Sequence, residues 1–330
     1  MVSAPRQTRN TRMNGGPQQI LVKSLNRLFG PRNQCFEAMM RSSDEAFEYS
    51  VRAGQVVHDQ FKGANNFTDK VVLDYGCGAG GKTVFYAGQG PKRTIGVDRR
   101  LNTGQAAEYA RRNGLQVEFH ELRPDGAIPL RPDVCDVIIN SSVLEHVEDL
   151  DAVFREMRRV LKPGGLLLNR WHPFRSRHGA HLGAAIGVPF AHLLFSEKTL
   201  VRAYYDGVMR RFGRIPPVLG AVNARSRNFD DLAYHLNRAT VASMRQAVES
   251  AGFELRQRRH FRGTKEVFVT KLLPEALIDF VIDYELQICV TLSRARAYRR
   301  RATFDMPAAT APCASKTGEL VNASSANSAM

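Results

Sequence analysis

From residue 70 onward, short apolar runs alternate with stretches in which apolar residues recur every three or four positions. Apolar runs at 70–75, 93–98, 115–120, 134–140 and 166–170 predict strands. Segments near 82–88, 103–113 and 149–161 carry the helical period instead. Strands alternating with helices predict a parallel sheet covered on both faces, with ligands bound outside the carboxyl ends of the strands. Before this region, "QQILVKSLNRLF" (18–29) reads as a short amphipathic helix, and residues 36–62 as a helix or helix pair stopped by Gly63. The rhythm breaks over 171–236, a stretch with several His, Pro and Gly and many Arg, which reads as an insertion. It returns with a helix at 240–250, with Thr240 as N-cap and Gly252 just past its end. "FELRQRRHF" and "TKEVFVTKL" then predict a hairpin turning at Gly263. Residues 274–300 predict one long helix that begins apolar and ends in "SRARAYRRR"; after 303 the Ala/Ser/Thr/Pro-rich composition predicts disorder.

The expected organisation is therefore a flexible basic arm (1–35), a helical cap (36–67), a main domain (68–273) with a lid-like insertion (171–236), a C-terminal helix (274–302) and a disordered tail (303–330). With 330 residues, 43% of them hydrophobic and 24% charged, the chain has enough apolar material for a sizeable core. The net charge of +15 comes mainly from Arg. Either the genome is GC-rich or the partner is anionic, and the even spread of the cations along the chain favours the first. The five cysteines form no C-x-x-C pair, which argues against a disulfide framework or a zinc site and suits a reducing cytoplasm. No apolar run approaches the ~18 residues that span a bilayer, and the N-terminus lacks a signal-peptide layout. The acid-free first 35 residues leave a transit peptide or a membrane-surface anchor open.

The first strand runs into "VVLDYGCGAGG" (71–81), whose glycines at 76, 78 and 81 fit a dinucleotide-binding turn. Asp74 stands just before that turn. Beside a pyrophosphate it would repel, since like charges at ~5 Å cost a kilocalorie or more even at an effective dielectric of 20. Beside a cationic ligand such as the sulfonium and ammonium of S-adenosylmethionine it would attract. Asp98 ends the next strand, 22 residues after Gly76, where a ribose-binding carboxylate belongs for either ligand.

"VLDYGCGAGG", "IGVD", "DVIINSSVLEHVED" and "REMRRVLKPGGLLL", in this order, resemble the class I S-adenosylmethionine-dependent methyltransferases, most closely the group with a V-L-E-H element after the fourth strand. The resemblance covers about residues 68–171, with 236–255 matching the group's return to the sheet. It implies a Rossmann-like, doubly wound α/β fold: a seven-stranded, mostly parallel sheet, its last strand antiparallel, with a helical insertion after the fifth strand. It further implies that Asp74, Gly76, Cys77, Gly78 and Gly80 frame the methionine part of the donor. Asp98 would take the ribose, with Arg99 beside the adenine. Leu122 and Arg123 stand where the family often has an adenine-binding acid, with Asp125 slightly late, so adenine recognition would fall to backbone groups. Asn140 and Ser141 would line the methionine end.

Methyl transfer from a sulfonium is an in-line displacement, and a neutral hydroxyl or ammonium acceptor also needs a base. His146, in "LEH" at a strand end, is one candidate; His181 and His172, in the insertion, are the others. No metal is expected. Ser142 replaces the first acid of the E-x-x-E-H pattern, and His178 with His181 lacks a third ligand. Arg175 and Arg177 read as solvated charges or as anchors for an anionic acceptor. The 274–300 helix would pack on the domain or a second subunit; its Arg cluster alternatively suits an anionic membrane or a lipid acceptor.

The reading is thus a cytoplasmic methyltransferase, with a membrane-peripheral position open, acting on oxygen, nitrogen or carbon of a small molecule, anionic and lipid-like acceptors included. An RNA or protein methyltransferase is the first alternative. The fourth strand ends "NSSV", without the N-P-P-[YF] or Pro-Cys signatures of nucleic-acid methylators, and no nucleic-acid module is recognisable. An NAD-dependent oxidoreductase is the second alternative. Thermal-shift measurements separate it: S-adenosylmethionine should raise the melting temperature, and NAD should not.

Overall fold

The computed structural model describes residues 16–30, 42–215, 222–223, 225–232 and 236–291. The expected disordered tail, most of the basic arm and the Arg cluster at 294–301 lie outside these residues.

At the centre is a sheet of eight strands among the described residues, in the order β3-β2-β1-β4-β5-β8-β6-β7. The five at one side are β1 (Val71–Tyr75), β2 (Arg93–Asp98), β3 (Val117–Glu121), β4 (Cys135–Ser141) and β5 (Leu161–Trp171), all parallel. Then come β8 (Tyr284–Thr291), antiparallel to both neighbours, β6 (Phe253–Arg262), and a two-residue β7 (Lys265–Glu266) that makes a hairpin with β6. Val72, Leu73, Ile138 and Ile139 are wholly or almost wholly buried because both sheet faces are covered.

Helices α2 (Ser43–Gln60) and α3 (Gly81–Ala87) lie toward one face; their Val57 and Tyr86 pack with Val72, Ile139 and Leu168. The short helix α4 (Gly104–Arg112) joins α2 and α3 in a satellite cluster through Ala106 and Ala110. Helices α5 (Leu150–Val160), α8 (Val241–Ser250) and α9 (Glu275–Val281) cover the opposite face with Phe154, Met157, Met244, Val248 and Ile278. On α5, Phe154, Met157 and Val160 fall on one stripe, and Asp149 caps its start by accepting the Ala152 N–H. The expected Thr240 cap closes a reciprocal box with Ser243 at the start of α8.

Three expectations are corrected. The sheet has eight strands, not seven, because the chain past Gly263 re-pairs for two residues. Only Lys265–Glu266 of "TKEVFVTKL" is strand; Phe268–Leu272 is a 3₁₀ turn. Where one long helix is expected from 274 onward, the described residues 275–291 instead form the seven-residue α9 followed by β8. Its polar residues, which a helix would turn to solvent, are buried partners inside the sheet. Glu285 accepts from Arg258 Nε at 2.5 Å, and Gln287 Oε1 accepts from Asn169 Nδ2 at 2.9 Å. The short helix expected at 18–29 is present as α1 (Pro17–Phe29), which docks on the insertion.

That insertion has its own apolar cluster. It contains α6 (Ala191–Leu194) and α7 (Glu197–Phe212), with Leu200, Tyr204 and Val208 around Val22 of α1. Asn26 ties α1 down by donating to Ala185 O at 2.6 Å and accepting from Gly187 N at 2.7 Å. Val22→Asp would bury an unpaired charge and is expected to cost about 2–4 kcal/mol. It should release α1, seen as faster hydrogen exchange over 17–29. Leu28→Asp, at a position 79% exposed, should leave both readouts unchanged.

Candidate active site

The carboxyl ends of β1, β2 and β4 carry the glycine turn and most of the expected donor residues. The turn is pinned from two sides. Asp98 Oδ2 accepts the Gly78 N–H at 2.8 Å and its Oδ1 accepts the Arg99 N–H at 2.7 Å. The N–H groups of Gly76 and Cys77 both donate to Val97 O, at 2.8 and 3.0 Å. Asp74 lies beneath the turn, 1% exposed, and accepts the Thr83 hydroxyl at 2.6 Å. Burial raises the Asp74 pKa, with the Lys82 ammonium pulling the other way. Asp74 thus acts from below the turn rather than at its open mouth; Asp98 is the more accessible acid. Cys77 is buried, and burial pushes its thiol well up, so it presents backbone and no nucleophile.

The turn glycines divide by role. A Cβ on Gly80 (φ 80°) would meet Ala106 Cβ at 2.6 Å, so packing demands that residue. Gly78 (φ 55°) is left-handed yet faces open space, with nothing within 4 Å of the point a Cβ would occupy. Gly78 therefore leaves room at the strand ends. Leu122 and Arg123 follow β3: Leu122 donates to Asp98 O at 2.8 Å, and Arg123 donates to Ala127 O at 2.9 Å in a turn of its own.

At the end of β4, Asn140 is fully buried, and neither Oδ1 nor Nδ2 has a hydrogen-bond partner among the described residues. An amide buried this way costs about 1–3 kcal/mol, so it marks a place for a polar ligand. Lys82 reaches across the same opening and donates to Ser141 O at 3.0 Å. Sequence reasoning passed over Lys82, although a cation one residue past a glycine turn was visible.

The three candidate histidines converge from two segments. His146 sits in a 3₁₀ turn just after β4; His172 and His181 come from the start of the insertion. The His181 ring lies edge-on to His146 (4.9 Å between centroids) and to His172 (5.4 Å). The His172 Nδ1–H donates to Asp283 O at 3.0 Å, which fixes its tautomer. Burial lowers the His172 pKa well below its usual value, and lowers that of His181 to about 3. His178 stays outside: residues 176–181 form turns, not the helix that would align it with His181.

Glu145, 3% exposed, completes the cluster, with Oε1 3.8 Å from His181 Nε2. Burial pushes its pKa up to about 7, against the charges of Arg170 and Lys82. Glu145, His146 and His181 each offer a ligand-type atom, all within 4.8 Å of one another. Tertiary structure thus supplies the third group that His181 lacked in sequence. Ser142, the residue in place of the family's first acid, accepts from Arg170 at 2.9 Å, and that guanidinium also lies over the Tyr284 ring, 4.1 Å from its centroid. Arg177 is neutralised by Asp283 at 3.0 Å, and Arg175 is exposed.

Residues 73–169 match the model of the methyltransferase domain family. This stretch is similar to the methyltransferase domains of that family. Over 157 residues it is 30% identical to a ubiquinone biosynthesis O-methyltransferase of Pseudomonas fluorescens, covering 47% of this chain and 63% of that protein. Over 130 residues it is 32% identical to phosphoethanolamine N-methyltransferase 1 of Triticum aestivum, covering 37% and 26%. The chain thus spans less than two thirds of the length of these curated relatives. An S-adenosylmethionine-dependent methyltransferase structure from Mesorhizobium loti aligns at TM-score 0.44 and 16% identity, over 72% of this chain and 96% of that one. The matched residues 73–169 cover most of β1–β5, while β6, β7 and the antiparallel β8 lie beyond them.

The raised Glu145 pKa sets a pH dependence. A carboxyl that holds its proton more tightly when folded adds stability that is full below its unfolded value. That stability is lost as pH rises to about 7. Glu145→Gln should cancel this loss: relative to wild type it gains on the order of 3 kcal/mol between pH 4 and pH 8, by urea denaturation.

Proposed function

We propose that this protein transfers a methyl group from S-adenosylmethionine to a small-molecule acceptor at oxygen or nitrogen. The observation that carries the reading is the pairing of an open glycine turn, ringed by Asp74 and Asp98, with the buried, unpartnered amide of Asn140 at the adjacent strand end. These groups fit the donor: Asp98 suits ribose hydroxyls, the Gly76–Gly78 backbone the methionine part, and Asn140 a polar group that satisfies both its amide atoms. The donor supplies an activated methyl on a cationic sulfur. The net field of Asp74 and Asp98 favours that cation over an anionic dinucleotide.

The histidine cluster manages the acceptor's proton. His146 is the base we favour, because it lies in the turn that directly follows β4, the strand that ends in Asn140 and Ser141. His181, kept neutral by burial, and Glu145, whose pKa burial raises to about 7, position its ring. A proton-handling role fits better than a metal. Arg170 and Lys82 are the charges nearest Glu145, and both oppose a cation there. The insertion around His172 and His181 forms the acceptor side and lid. The O- and N-methyltransferase names of the relatives support an acceptor that must lose a proton.

Mass spectrometry of a cell extract incubated with labelled donor and purified protein tests the reading; an acceptor gaining one methyl group is expected. Asn140→Leu should weaken donor binding by about tenfold or more while leaving the free protein as stable as before or more so. His146→Gln should lower kcat by about 10²–10³ with donor affinity unchanged. Donor binding without Asn140 dependence would remove the main support.

A further inference from the structure

At the far side of the same sheet edge, the chain between β6 and β8 carries five of the thirteen large hydrophobic side chains exposed among the described residues. They are Phe268 (63%), Val269, Leu272 (84%), Leu277 and Phe280. Soluble surfaces rarely gather that many in thirteen residues without a partner. The charges of this stretch are sorted. Every acid is turned inward or paired: Glu266 with Arg259 at 2.6 Å, Glu275 with Arg258 at 2.8 Å, Asp283 with Arg177, and Asp279 buried under the Val241 N–H. Arg262, Lys265 and Lys271 are exposed and make no ion pair among the described residues. Lys271 Nζ sits 5.5 Å from the centroid of the Phe268 ring.

Beside this ridge is a cavity of about 220 Å³ lined by Arg258, Arg259, Thr270 and Lys271 and by Glu266, which is paired to Arg259. Arg258 donates to Glu285 and Glu275, but its Nη2 is buried without a partner among the described residues. Protruding apolar groups beside unpaired cations, next to a cavity in which Arg258, Arg259 and Lys271 outnumber Glu266, are what an anionic bilayer surface complements. We propose that the 262–280 segment docks on anionic phospholipid. Phe268, Val269 and Leu272 enter the interfacial region, and a headgroup phosphate takes the cavity. His172 is tied to this segment's end through Asp283, so docking would set the acceptor side of the site against the membrane. The proposal stands without any assumption about the acceptor.

The full chain is tested by sedimentation with vesicles of phosphatidylcholine alone or mixed equally with phosphatidylglycerol. Binding to the anionic vesicles only is expected. A net charge of +15 would itself attract the chain, so the deciding variant is the charge-neutral Phe268→Ser/Leu272→Ser pair. Both positions are solvent-exposed, and circular dichroism should show an intact fold. Its partitioning should fall by about tenfold or more, and Lys271→Glu should weaken binding similarly. Wild-type-like pelleting of the double variant would reduce the effect to bulk charge and overturn the proposal. So would a dimer, by light scattering, that the double variant dissociates, since the face would then meet a second copy. Stabilisation by inorganic phosphate without vesicle binding would assign the cavity to a soluble anion and overturn it as well.

Discussion

Two carboxylates at the ends of adjacent parallel strands hold the glycine turn in place. Asp98 takes a backbone N–H from the turn above, and Asp74 takes the Thr83 hydroxyl from the first turn of the following helix. The turn can cross the end of β1 without side chains because its conformation is enforced by these acceptors and by Val97 O. The same acids make the strand ends electronegative, which disfavours pyrophosphate and favours a cationic donor. Without this constraint neither the opening beside Gly78 nor the placement of Asn140 would follow.

The second determinant is desolvation. Glu145, His146, His172 and His181 come from the β4 turn and the start of the insertion, and burial acts in opposite directions on acid and imidazole. It raises the carboxyl toward pH 7 and drives His172 and His181 far below it. Near neutrality His172 and His181 are therefore uncharged and Glu145 is poised between its two forms, with Arg170 and Lys82 beside it. Such a group can exchange protons with a bound acceptor while little solvent reorganises around it.

A third feature is the polar ladder inside the antiparallel part of the sheet. Asn169, Gln287, Arg258 and Glu285 occupy neighbouring positions on β5, β8 and β6, and Glu285 is wholly buried. Arg258 links it to Glu275 on α9, which Arg245 on α8 also holds. Removing Arg258 would strand the buried Glu285 and removing Asn169 would strand the Gln287 amide, so the ladder fixes the register of β8 more than it adds stability. By fixing that register it also places Asp283 against His172 and sets the exposed 268–280 segment at the site's edge.

The parallel strands, the helices between them and the glycine turn were legible in the sequence because their signals are local. Apolar runs bounded by turn residues, the Thr240 cap and the spacing of Asp74, Gly76 and Asp98 need no distant contact to be read. What failed was decided by distant partners. Glu285 and Gln287 looked like the wet face of a helix until β5 and β6 supplied Asn169 and Arg258. His178 and His181 seemed to share a helical face, yet the chain turns there, and His181 meets His146 and Glu145 instead. Lys82 and Arg170 were ordinary surface cations in the sequence and became parts of the site only through the convergence of β1, β4 and β5. The sequence by itself determined the strand–helix order and the glycine turn, since backbone propensity and hydrophobic period act over a few residues. Tertiary structure alone decided the buried cluster of Glu145 with the histidines and the antiparallel strand, because burial and long-range pairing change what a charged residue is free to do.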